Sequence, residues 1–293
     1  VTALAALEAG VVSLKERIEC AGTYRYADQS FRCWNRSGHG RVDLHGALKV
    51  SCDVYFYELA SKLGIGALSR MARRLGLGET FDCGIALQKS GVVPDADWKR
   101  GALGSGWLGG ETVLAGIGQG YVTATPLQLA VMTARIASGR RILPTLIRYE
   151  RGARPLLDGD AFQSLDIAPA ALEAVRRGML ASVNADGGTG QRGALEGIEH
   201  EMAGKTGTSQ VSRASGERSQ SDLAWELRDH ALFVGYAPAD GPRYVVAAVV
   251  EHGGGGGAVA APLAGEVMAM LLKDDPVSRP TYRLPAAARD AGA

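Results

Sequence analysis

Charge of one sign is missing from this chain. Its 32 Lys and Arg balance 31 Asp and Glu, a net charge of +1, so no basic face for nucleic acid is expected. Long hydrophobic runs are missing too: the longest strongly apolar stretch, Tyr244-Val245-Val246-Ala247-Ala248-Val249-Val250, is far too short to span a bilayer. There are no internal repeats. The glycine run Gly253–Gly257 lacks the Lys-Ser/Thr that a phosphate loop needs. No signal-peptide pattern and no initiating Met are present, and the chain opens directly on a helical pattern. It is expected to begin inside a domain, which leaves its location open on these grounds. Cysteine is scarce but even in number, four residues, enough for disulfides or a metal site.

What is present is a chain of 293 residues, 46% apolar, enough for one large domain or two small ones. Leu4 and Leu7 share a face of an opening helix that Gly10 closes. Cys20 to Val50 has weak periodicity and reads as a long loop, which needs a clamp or a function to stay ordered. Helical spacing returns over Asp53–Leu63 and Ala67–Leu75. Gly101–Gly120 reads as glycine-rich loop. Thr125-Pro126-Leu127-Gln128 is a helix start, with Thr as cap, Pro at the first position and Gln completing a capping box. Ala168–Asn184 is amphipathic. Three strands follow, Glu201–Val211, Asp229–Ala237 and Arg243–Glu251, close enough for an antiparallel meander. Pro262–Lys273 is a last apolar helix, and residues 276–293 read as a disordered tail.

The chemistry gathers on Met202–Val211. Strand alternation sends Lys205, Gly207 and Ser209 one way and Thr206 and Thr208 the other. An ammonium and hydroxyls beside a bare glycine backbone suit an extended peptide that ends in a carboxylate. The alternative is an exposed edge strand with Lys as an anti-aggregation charge. A second locus, Ser51-Cys52-Asp53, opens a helix, where Ser and Asp are ordinary capping residues.

Taken together, Ser51-x-Asp53 and Lys205-Thr206-Gly207-Thr208 resemble the second and third motifs of the penicillin-binding transpeptidases and serine β-lactamases. Gly116-Ile117-Gly118-Gln119-Gly120 leading into Thr125–Gln128 resembles the stretch between those motifs. His230–Pro238 resembles the strand that follows them. Glu251-His252 with Gly253–Gly257 is similar to the strand end of the elongation-type enzymes, penicillin-binding protein 2. The resemblance implies an α/β fold of α+β type, an antiparallel sheet flanked by helices, over residues 1–275. It implies a D,D-transpeptidase acting on D-Ala-D-Ala stem peptides of peptidoglycan and acylated by β-lactams. Membrane proteins of the elongation complex are the implied partners. The implied location is the periplasmic face of the bacterial inner membrane, held by a transmembrane helix outside this sequence. Ser51, Asp53 and Lys205 become catalytic residues, and Thr206, Gly207 and Thr208 bind substrate. Asp53 departs from the Asn of most relatives; an ionised Asp only accepts hydrogen bonds.

The family's first motif, Ser-x-x-Lys, is absent: no Ser stands three residues before any Lys. The nucleophile is expected just upstream of Val1, and these residues alone are expected not to acylate and to be unstable. The rival readings are a division-type transpeptidase, a β-lactam sensor, and a zinc-stabilised binding module that ignores penicillin.

The cysteines form the pattern Cys20-x12-Cys33-x5-His39-x12-Cys52, three thiols and an imidazole that suit tetrahedral zinc, with His45 in reserve. Some elongation-type relatives resemble it in carrying a zinc site before the second motif. A Cys20–Cys33 disulfide with Cys52 buried, or reduced core thiols, are the alternatives. Cys83 stands apart as a core residue.

Overall fold

The computed structural model describes residues 1–146, 162–212 and 220–276. The tail at 277–293 and the segment 213–219 of the polar insertion between the first two strands of the meander lie outside the described residues.

Helix α1 (Thr2–Glu8) buries Leu4 and Ala6 completely and packs on α3 and α8. The long loop expected over Cys20–Val50 is instead built of short ribbons. Strand β1 (Ile18–Cys20) pairs antiparallel with β4 (Gly40–Val42), and β2 (Thr23–Tyr26) pairs with β3 (Gln29–Arg32). Strands of three and four residues are too short to print a period of two in a sequence. Gly22 and Gly38 let the ribbons cross, since a Cβ on either would fall 2.2 Å or less from a backbone oxygen, of Arg36 or Cys20. Helix α2 (Leu44–Lys49) follows, capped by the Asp43 carboxylate, which accepts from Gly46 N–H at 2.8 Å.

Helices α3 (Asp53–Leu63) and α4 (Ile65–Arg74) fall where the apolar spacing puts them. The glycine-rich loop expected over Gly101–Gly120 is a second correction. It contains the end of α5 (Ala96–Leu103) and all of α6 (Gly109–Ala115). Its glycines serve packing: a Cβ on Gly109 would lie 2.2 Å from Tyr26 Oη, and one on Gly110 2.4 Å from Gln29 Oε1. Helix α7 (Pro126–Ser138) carries the expected capping box between Thr125 and Gln128. Helix α8 (Pro169–Asn184) ends before a Gly187-Gly188 turn.

Strands β5 (Ala203–Ser209), β6 (His230–Ala237) and β7 (Tyr244–Val250) form the antiparallel meander in that order. Their alternation divides the core. Ala203, Tyr236 and Val245 stand in register on the face shared with α1, α3 and α8. Phe233, Ala248 and Tyr244 project to the other face, onto α9 (Ala261–Asp274). The segment Gly256–Asp274 is long and apolar enough to cross a membrane by length and composition, yet Ala261, Ala264 and Met268 bury one side of it against the sheet. Among the described residues, β5 pairs on one side only and leaves an open edge.

Candidate active site

The open edge of β5 meets the turn between α2 and α3. Ser51 occupies that turn with φ of 54°, in the left-handed region that a non-glycine residue adopts only under constraint. Its hydroxyl does not cap α3, whose N-cap is Cys52 without a side-chain bond. The Ser51 Oγ instead lies 2.9 Å from Thr189 Oγ1 and accepts from the Lys205 ammonium. Capping is therefore not the role of Ser51.

Lys205 leaves β5 on the face shared with α8 and curls over the edge. Its remaining protons go to Thr206 O at 3.1 Å and Thr206 Oγ1 at 3.3 Å. Burial pulls the ammonium down to about 8, with the Asp53 carboxylate opposing. Thr206 and Thr208 turn to the other face, where Gly256 N–H reaches Thr208 Oγ1 at 3.5 Å. A Cβ on Gly207 would stand 3.3 Å from the Cβ of Leu232, its cross-strand partner, closer than an ordinary contact, so a side chain there needs Leu232 to give way. Asp53 makes no bond to Lys205. Its carboxylate accepts the Trp34 N–H at 2.8 Å, and burial pushes it up to about 7.

Three further contributors were not assigned a role from the sequence. Thr189 stands 2.9 Å from both Ser51 Oγ and Thr206 Oγ1. Gln119 donates from Nε2 to Thr208 O at 2.7 Å. Trp34 donates from Nε1 to Val50 O at 3.0 Å and Ser51 O at 2.9 Å, and so grips the strained turn from outside. The Gly118 and Gly120 pair around Gln119 and the Cys33–Trp34 adjacency were the available hints. Thr189 hid in what reads as a helix stop. Trp34→Phe keeps the ring and deletes the indole donor. It is expected to cost about 1 kcal/mol of stability and to speed amide exchange at Ser51 and Cys52, read by thermal melting and exchange mass spectrometry.

Directly behind Ser51, the ligand atoms of Cys20, Cys33, His39 and Cys52 all lie within 4.8 Å of one another. The Cys20 and Cys33 sulfurs are each 3.6 Å from His39 Nδ1. A tetrahedral zinc with ordinary bond lengths sets sulfur and nitrogen about 3.6 Å apart, so the spacing fits such an ion. One of the sulfurs is also prepared for charge. Cys33 is pulled down to about 4, first by its bond from Cys52 and further by the backbone N–H groups of Asn35, Asp53 and Val54, against burial; the same contact pushes Cys52 up. His45 is not in the cluster, and Cys83 lies elsewhere, beside Gln88. A cavity of about 860 Å³ lined by Glu8, Arg73, Arg74 and Asp166 is separate from both groups.

The structure thus brings Ser51 and Lys205, 154 residues apart in sequence, together at an open strand edge. Residues 1–269 match the family model of the penicillin-binding protein transpeptidase domain. The chain belongs to that family. Among its relatives, it is 38% identical over 244 residues to the peptidoglycan D,D-transpeptidase MrdA of Haemophilus influenzae, covering 81% of this chain and 37% of the relative. It is 36% identical over 260 residues to MrdA of Acinetobacter baumannii, covering 85% and 38%. The crystal structure of Pseudomonas aeruginosa PBP2 superposes with a TM-score of 0.81 at 38% identity, over 99% of this chain and 62% of that one. The chain thus spans less than half the length of these curated relatives, 37% and 38%. Helicobacter pylori PBP2 in its complex with MreC gives a TM-score of 0.79 at 29% identity, covering 94% of this chain and 48% of that one.

Proposed function

We propose that this domain serves a serine-type D,D-transpeptidase that cross-links D-Ala-D-Ala stem peptides during cell elongation and that β-lactams acylate. One observation carries the reading: the Lys205 ammonium bonded to Ser51 Oγ at an open strand edge. A serine upstream of these residues attacks the penultimate carbonyl, an ester forms, and the terminal D-Ala amine leaves with a proton delivered through Ser51. An acceptor amine then displaces the serine. Lys205 holds positive potential at the substrate carboxylate, Thr206 and Thr208 donate to it, and Thr208 N–H serves the oxyanion. Gly207 lets the peptide lie flat on β5. Asp53 acts from behind, through Trp34 and the field at Lys205.

In this reading Cys20, Cys33, His39 and Cys52 would hold a structural zinc ion, and ligation by Cys52 would fix the backbone between Ser51 and Asp53. The whole protein works on the periplasmic face of the inner membrane, anchored by an N-terminal helix, beside membrane proteins of the elongation complex. The solved complex of PBP2 with MreC supports that partnership by analogy.

The 293 residues contain no Ser-x-x-Lys. A fluorescent penicillin is expected to leave them unlabelled and to label a chain extended upstream through that motif, read on a denaturing gel. Stoichiometric labelling of the 293 residues, or none of the extended chain, would overturn the reading.

A further inference from the structure

Three hydroxyls and one ammonium meet at the mouth of the site, and their protons can be counted. The Lys205 ammonium has three protons and three acceptors, namely Ser51 Oγ, Thr206 O and Thr206 Oγ1. Each of the two hydroxyl oxygens thereby gives one lone pair to Lys205. Their own protons must point elsewhere. Thr189 Oγ1 stands 2.9 Å from each of them and has two lone pairs to offer. Its own proton then goes to Ser182 Oγ, at 3.4 Å on α8.

The local backbone exists to deliver this hydroxyl. Gly187 has φ of 74°, and a Cβ on Gly188 would fall 2.4 Å from Ser182 O. Thr189 N–H is tied to Lys49 O at 3.2 Å, one helix end away from Ser51. On the far side, a Cβ on Gly257 would stand 2.3 Å from Thr189 O. Glycines on both flanks bring Thr189 in close, where the sequence suggests only a helix stop.

We infer that Thr189 is a positioning residue for acylation, which accepts the hydrogen bond of the Ser51 hydroxyl at rest and so keeps the Ser51 lone pair turned to Lys205. The inference rests on the transpeptidase reading above. In it Thr189 acts through the Ser51 hydroxyl and has no part in the bonds that form or break on the substrate. It fixes which way the Ser51–Lys205 hydrogen bond runs and frees Ser51 to swing its proton toward a leaving amine when one arrives. The same bond restrains Thr206, so Thr189 also couples the proton carrier to a substrate-carboxylate donor.

The test compares Thr189→Val, which keeps the shape and loses the hydroxyl, with Thr189→Ser, which keeps the hydroxyl. In the chain extended through Ser-x-x-Lys, Thr189→Val is expected to lower the maximal acylation rate by a fluorescent penicillin about tenfold, with the half-saturating concentration little changed. Thr189→Ser is expected to restore most of it. A wild-type chain that never labels overturns the transpeptidase reading. A wild-type chain that labels, with Thr189→Val labelling equally fast, overturns this inference alone. A second arm needs no nucleophile. In the 293-residue chain, the ammonium protons of Lys205, followed by nitrogen-15 NMR of labelled lysine, are expected to exchange faster in Thr189→Val and at the wild-type rate in Thr189→Ser. Equal rates in all three proteins overturn the inference. Thr189→Ala takes the place of the valine variant in both arms, under the same criteria, where the latter lacks a cooperative melting transition.

Discussion

Lys205→Ala is expected to slow acylation by a factor of about 10²–10⁴ in a chain that carries the nucleophile. The ammonium sits where a proton carrier and a carboxylate-binding strand converge, so its loss removes two effects together. Ser51 loses the donor that fixes its lone pair, and the edge of β5 loses the positive field that draws a carboxylate. Arginine is not expected to rescue it. Three acceptors converge on one nitrogen, and a planar guanidinium fork cannot meet Ser51 Oγ, Thr206 O and Thr206 Oγ1 from one point. The pH dependence follows from the same burial. The group needed is the protonated one, and its titration is pulled down to about 8. The acylation rate is therefore expected to fall as pH rises through about 8, well below the range of an ordinary lysine. The stability contribution has the opposite sign. An ammonium disfavoured by burial binds its proton more weakly in the folded state, so folding gains as pH rises from that value toward 10.5. Labelling rates measured across about pH 6 to 10, beside melting curves at the same pH values, separate the two. A flat rate profile through pH 8 would remove Lys205 from the mechanism.

The second large effect belongs to the metal. Chelation, or Cys52→Ser, is expected to lower the melting temperature by about 10 °C or more, since ion binding at a structural site contributes several kcal/mol to folding. Residues 18–42 hold only ribbons of three and four residues, and strands that short do not order themselves. In the proposed reading the four ligands draw them onto α3. Cys83→Ser is the control, a buried cysteine bonded by Gln88 and outside the cluster. Metal analysis of the purified chain, with calorimetry of both variants, decides the matter. Absence of stoichiometric zinc, with Cys52→Ser no worse than Cys83→Ser, would return the four residues to ordinary packing.

The parts of the molecule legible in its sequence share a cause. Helices α3, α7 and α8 and the meander are long enough for apolar spacing to show, and a side chain reads its partners at that scale. Ser51 and Lys205 were legible because residue type and spacing together formed a known pattern. The unread parts fail for reasons of their own. Helix α6 begins on two glycines that serve Tyr26 and Gln29, so a packing need looks like a loop. The ribbons carry too few residues for a period. Thr189, Gln119 and Trp34 act through a few hydrogen bonds to residues distant in sequence, among them Ser51 Oγ, Thr208 O and Ser51 O. A bond that crosses the fold once leaves no mark on the residues beside it. The cysteine cluster was readable because four ligands must be named together, which is a stronger constraint than one donor.

Gln119 gives the open side of β5 a further property. Strand carbonyls two residues apart face the same way, and those of Thr206 and Thr208 are both taken, by Lys205 and by Gln119. A stray strand from another molecule finds these two acceptors already engaged and gains little by adding there. A genuine peptide must trade its own N–H for the glutamine amide, and the exchange is nearly even only for a ligand that brings a carboxylate to Lys205 as well. In the proposed reading the edge is guarded without being blocked, and it favours a guest by its charged end.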